Sequence, residues 1–122
     1  MNPVDYRYPF FWMALEALFG PNDPGETTFK LCQRIGFFLG GDNLEIARDI
    51  FKKAKTCYGM RSRIVHGRWK DDPNIAGVMA DTEAIARTAL RHVLEHPNLL
   101  QVFMSKDRDG FLDELVFSRP RK

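Results

Sequence analysis

The chain has 122 residues, 44% of them apolar and 28% charged, with a net charge of +2. That is the size of one domain with enough apolar mass for a real core, and it excludes a disordered chain. So small a net charge does not by itself indicate a polyanionic partner.

At the N-terminus there is no basic segment followed by a small-residue cleavage site, so no signal peptide is expected. The run YPFFWMALEALFG is too short to span a bilayer and contains Glu16. Phe11, Leu15, Leu18 and Phe19 recur at helical spacing and predict a first helix over residues 9–19. The sequence GPNDPG at 20–25 stops it with glycine, proline and an Asn-Asp turn. A second helix carries Phe29, Leu31, Cys32, Ile35, Phe38 and Leu39, and Gly40-Gly41 ends it. Asp42 or Asn43 is expected to cap a third helix with Leu44, Ala47, Ile50, Phe51, Ala54 and Cys57 on its apolar face. That periodicity runs on to Val65, as one long helix or two joined at a kink. Gly67 then stops it and KDDPN forms a loop. Asp81 or Thr82 opens a fourth helix with Ile85, Ala86, Ala89, Leu90, Val93 and Leu94, broken by His96-Pro97-Asn98. Short helices are expected near 97–104 and 109–117. No segment alternates as a strand does. The expected fold class is all-α: a small up-and-down bundle of four main helices with short C-terminal helices, one domain over residues 1–122.

Cys32 and Cys57 lack disulfide or zinc-ligand spacing and sit in apolar helical patterns, so reduced, buried thiols in a cytoplasmic protein are expected. The charge is unevenly distributed. Eight of the eighteen Lys and Arg fall between Arg48 and Lys70, where Asp49 is the lone acid. A locally positive segment in a near-neutral chain suggests a surface that faces anions, with a solvated helix face as the plain alternative.

Within that segment lies YGMRSRIVHG, residues 58–67. On a helix Arg61 and His66 stand about 140° apart around the axis. Tyr58, Ser62 and His66 follow one another at four-residue steps and form a polar row, with Arg61 on its flank. Cys57, Met60 and Ile64 point the other way, toward a core. Arginine presents a fork of donors that matches phosphate oxygens, and histidine moves a proton near neutral pH. Ser62 could orient the imidazole. These groups suit transfer at an RNA phosphodiester without a metal or other cofactor. Arg63 and Arg68 are candidate contacts for the RNA backbone. A base and an acid are both wanted, yet the row supplies one histidine per chain. A twofold homodimer would bring two rows together, with Tyr58 and Trp69 as exposed aromatics flanking the contact.

At these residues the sequence resembles the HEPN superfamily, whose motif is an arginine and a histidine separated by four to six residues, and most of all its ApeA-like branch. Arg61 and His66 match with a four-residue gap, the residue after the arginine, Ser62, is polar, and glycine follows the histidine. FWMALEALF looks like the family's first helix, LCQRIGFFLG like its second, and TALRHVLEHPNLLQVF and DGFLDELVF like its closing helices. The resemblance implies a dimerising helical bundle that acts as a metal-independent ribonuclease, with its site at the dimer interface. It further implies a setting in toxin–antitoxin, abortive-infection or RNA-processing systems, with an antitoxin or an appended domain as partner. Many members of the superfamily are instead inactive binding or dimerisation modules.

Other features read as structural. SKDRDGFLDELV, residues 105–116, resembles a calcium loop, but Ser105 and Val116 stand where ligands belong, and Asp109 is expected to cap a short helix. His92 and His96 are four apart and could share a metal, yet no third ligand is evident and they end a helix, where imidazolium is favoured by the dipole. Glu16 and Arg34 interrupt apolar faces and are expected to pair with each other or with backbone. Lys52, Lys53 and Lys55 are expected to face solvent.

Overall fold

The computed structural model describes residues 3–22, 27–65 and 72–117. Six helices occupy these residues: α1 (Pro3–Phe19), α2 (Thr27–Gly40), α3 (Leu44–Val65), α4 (Ile75–Glu95), α5 (Pro97–Phe103) and α6 (Arg108–Phe117). Among the described residues there is no strand, so the fold is an all-α bundle. None of these helices is long and apolar enough to cross a membrane.

α2 and α3 form the closest pair. A Cβ at Gly40 would lie 2.6 Å from Ala47 Cα, so a side chain there would separate the two helices. Gly41 then turns the chain at φ +59°, a conformation that costs glycine nothing. Asn43 is the cap: its Oδ1 accepts the Ile46 N–H at 3.0 Å. From there α3 runs as one helix to Val65.

α1 packs on α3 and α4. It begins at Pro3, earlier than its apolar spacing suggests, and carries Pro9 inside. Its buried face is Tyr8, Trp12, Leu15 and Phe19, each fully enclosed, while Phe11 and Leu18 pack at the edge. The Tyr8 hydroxyl donates to the Cys57 carbonyl and ties α1 to α3. Burial pushes the Tyr8 phenol up to about 12.

α4 also starts earlier than expected, at Ile75 rather than at Asp81 or Thr82. Asp72 prepares the start. Its Oδ1 accepts the Asn74 N–H at 2.8 Å, and its carbonyl accepts the Ile75 N–H. Thr82 is fully buried in the middle of the helix beside Val78, Ile85 and Ala86, so it packs where a cap was expected.

Two arginines close the C-terminal end of α1. Arg108 donates to the carbonyls of Ala17, Leu18 and Gly20. Arg34, almost wholly buried, donates to the Phe19 carbonyl at 3.1 Å and pairs with Asp109 at 2.8 Å and Asp113 at 3.1 Å. Cations there oppose the negative end of the helix dipole and satisfy its last carbonyls. Arg34 thus does bond backbone, but its acidic partners are on α6 and not Glu16. Asp109 does not cap α6: it lies in the first turn and its carboxylate is taken by Arg34. Burial pushes that carboxyl up, but the bond and charge of Arg34, a backbone hydrogen bond at Asn22 and the charge of Arg108 pull it further down, below its ordinary value.

Candidate functional site

The last three turns of α3 carry the arginine part of the candidate site. Cys57, Met60 and Ile64 are buried toward the core, as their spacing requires. That register turns Tyr58, Arg61 and Arg63 away from the centre of the bundle. His66, Arg68 and Trp69 lie outside the described residues, as does the side chain of Ser62.

Tyr58 is half-buried and not the exposed aromatic expected from the sequence. Its ring meets Trp12 of α1 edge-on, with centroids 5.0 Å apart at 89°. This is a favoured aromatic geometry and fixes the ring plane. The Arg61 guanidinium carbon then lies 5.5 Å from the centre of the Tyr58 ring. Arg61 Nε faces Glu16 Oε1 at 3.7 Å. Both atoms are shut off from solvent and neither has a hydrogen-bond partner among the described residues. The Arg61 side chain is nevertheless 38% exposed, so its exposure belongs to parts other than Nε. A carboxylate on one edge and an aromatic face beneath therefore hold a guanidinium at the bundle surface.

Arg63 is committed elsewhere. Its Nη1 lies 2.6 Å from Asp72 Oδ2, and the Asp72 carboxyl is only 5% exposed. This ion pair joins the last turn of α3 to the turn that enters α4. The Arg63 side chain remains half exposed beyond it.

Four cations of the basic segment share one side of α3, about 160° around the axis from Arg61. Arg48, Lys52, Lys55 and Arg63 are exposed and fall within an arc of about 80° on α3. Lys53 is also exposed but lies off that arc. Lys55 Nζ stands 5.3 Å from the centre of the Phe51 ring. Glu45 shares the stripe at its N-terminal end.

No protein-family model, curated protein or solved structure matches the chain. Glu16, Trp12 and Asp72 are the residues near the site whose part sequence spacing does not disclose. Glu16 stands out in sequence as an acid within an apolar helix, but spacing within α1 cannot say that its partner comes from α3.

The two thiols are free and buried, as expected. Burial pushes Cys32 up to about 11 and raises Cys57 as well, so neither is a nucleophile at neutral pH. Among the described residues no three His, Cys, Asp or Glu side chains converge as metal ligands. The loop at 105–107 is held by its own bonds: Ser105 Oγ donates to the Val102 carbonyl and accepts the Asp107 N–H.

Proposed function

We propose that the chain is a HEPN-like, metal-independent endoribonuclease of the toxin or abortive-infection type, working in the cytoplasm as a homodimer. The observation that supports this reading is the mounting of Arg61. A guanidinium held at the surface by Glu16 and Tyr58 is preorganised for a phosphate. Arg61 and His66 are the catalytic pair in this reading, with Ser62 and Tyr58 supporting them. Arg63 and Arg68 contact the RNA backbone.

The chemistry follows from these roles. A base, His66 of one copy, takes the proton of a ribose 2′-hydroxyl. The 2′-oxygen bonds to phosphorus while the bond from phosphorus to the 5′-oxygen breaks. An acid, the imidazolium of the other copy, returns a proton to the leaving 5′-oxygen. Arg61 neutralises charge growing on the non-bridging oxygens. The products are a 2′,3′-cyclic phosphate and a 5′-hydroxyl, with no net change in protons. Proton transfer from one placed group is typically worth about 10² to 10⁴ in rate.

The test is cleavage of a single-stranded RNA in the presence of EDTA, beside the same strand with deoxyribose throughout. RNA should be cut and DNA spared, because only RNA supplies the nucleophile. Cleavage of both strands, or cleavage that EDTA abolishes, overturns the mechanism.

A second reading is favoured by one observation: Arg61 and Arg63 each already face an acid of their own chain, Glu16 and Asp72. In that reading the domain binds RNA or dimerises without turnover. Salt-sensitive RNA binding with no cleavage at any RNA tested would select it.

A further inference from the structure

The end of α4 brings two imidazoles together, away from α3. The His92 and His96 rings have centroids 4.4 Å apart, tilted by 40°. Both side chains are exposed. Phe38 of α2 meets His92 edge-on at 5.2 Å and steadies that ring. His96 Nδ1 lies 2.7 Å from the His92 carbonyl oxygen. A carbonyl oxygen only accepts, so Nδ1 carries the proton. In the neutral ring Nε2 is then left with its lone pair free. A histidine whose other nitrogen donates to a carbonyl is oriented as metal-ligating histidines usually are.

We propose that His92 and His96 chelate one borderline divalent transition ion, of the zinc, nickel or copper class. Imidazole nitrogen suits these ions, and magnesium and calcium prefer oxygen. The spacing fits. With a metal–nitrogen distance of about 2.0–2.1 Å, a ring centre lies about 3.2 Å from the ion, so two rings at about 90–110° have centres about 4.5–5.2 Å apart. The observed 4.4 Å lies about 0.1 Å below that range, so a small rotation of the exposed rings, without movement of the helix, opens them to it. The site lies where α4 presents its negative end, which favours a cation. An open cleft beside His96, lined by Glu95 and Asn98 as well as the apolar Pro97, Leu99, Val102 and Phe111, leaves room for water to complete the coordination. This site is independent of the ribonuclease reading.

The experiment is a zinc titration of the intact protein, followed by calorimetry and by the imidazole nitrogen NMR signals, beside His92→Asn and His96→Asn. One zinc per chain should bind, shifting the signals of both His92 and His96, and each substitution should weaken it tenfold or more. Magnesium should produce no shift. Zinc should raise the melting temperature of the wild type and leave those of the variants unmoved, which separates lost binding from altered folding. The proposal is overturned by affinity that stays within twofold in both variants. It is equally overturned by zinc shifts confined to His66, or by no binding up to about 1 mM zinc.

Discussion

Glu16 Oε1 of α1 stands 3.7 Å from Arg61 Nε of α3, and both atoms are closed to solvent. The contact is a charge pairing beyond hydrogen-bond length. It sets the direction in which Arg61 leaves the bundle. Glu16→Gln keeps the shape and removes the charge. Both side chains are about a third exposed, so the stability change should stay below about 1 kcal/mol. If Glu16 positions Arg61 for phosphate, RNA cleavage should nonetheless fall about 10- to 100-fold, with the pH profile unchanged because no proton-transfer group is altered. Single-turnover rates across pH check this. A folded Glu16→Gln protein with wild-type rates would leave Glu16 a packing residue only.

Arg34 is the buried cation that joins α1, α2 and α6. Arg34→Met removes the partner of Asp109 and a donor to the Phe19 carbonyl. The loss should be about 2–4 kcal/mol, below the full cost of breaking a buried pair because Asp109 and Asp113 keep access to water. Chemical denaturation measures it.

The same contact predicts an acid limb. Asp109 is held below its ordinary value when folded, so its contribution is fully present above the unfolded carboxyl value of about 3.9 and is lost as pH falls through the folded one. Below about pH 4, melting temperature should drop more steeply in the wild type than in Asp109→Asn. Parallel curves would show that Arg34 does not carry this pH dependence.

Cys32 and Cys57 should be silent to thiol reagents at pH 8 in the native state. Burial holds both thiols protonated, and a reagent reaches them only through opening of the core. Labelling should follow the unfolding equilibrium, with two thiols titrated in denaturant. Rapid stoichiometric labelling of the native protein would contradict the packing described.

Gly40→Ala should destabilise by about 1–3 kcal/mol, because the added carbon meets the Ala47 backbone, which cannot rotate away as a side chain could. A melting curve checks it.

The all-α architecture is legible in sequence because the apolar periodicity of α2 and α3 is regular and bounded by Gly40-Gly41. The core face of α3 through Cys57, Met60 and Ile64 follows from that period alone. α1 is less legible: Pro9 suggests a boundary, yet the helix runs through it and buries Tyr8 upstream. α4 is obscured by Asp81 and Thr82, whose oxygen-bearing side chains suggest a cap. Thr82 is in fact core, and the start is set by Asp72. At the candidate site, spacing finds Arg61 and its outward direction. It cannot find Glu16 beside Arg61, Asp72 beside Arg63, or Trp12 beneath Tyr58, because each pairing depends on how separate helices pack. His66 and Arg68 lie outside the described residues, so their part in the site rests on sequence alone.

The central claim is that Arg61 and His66 cut RNA without a metal. Cleavage of a labelled RNA in EDTA by the wild type, Arg61→Ala and His66→Ala tests it most directly, with circular dichroism and sedimentation showing each protein folded and dimeric. The account predicts a 2′,3′-cyclic phosphate product from the wild type and rates at least about 100-fold lower from both variants. Undiminished cleavage by folded His66→Ala would contradict it.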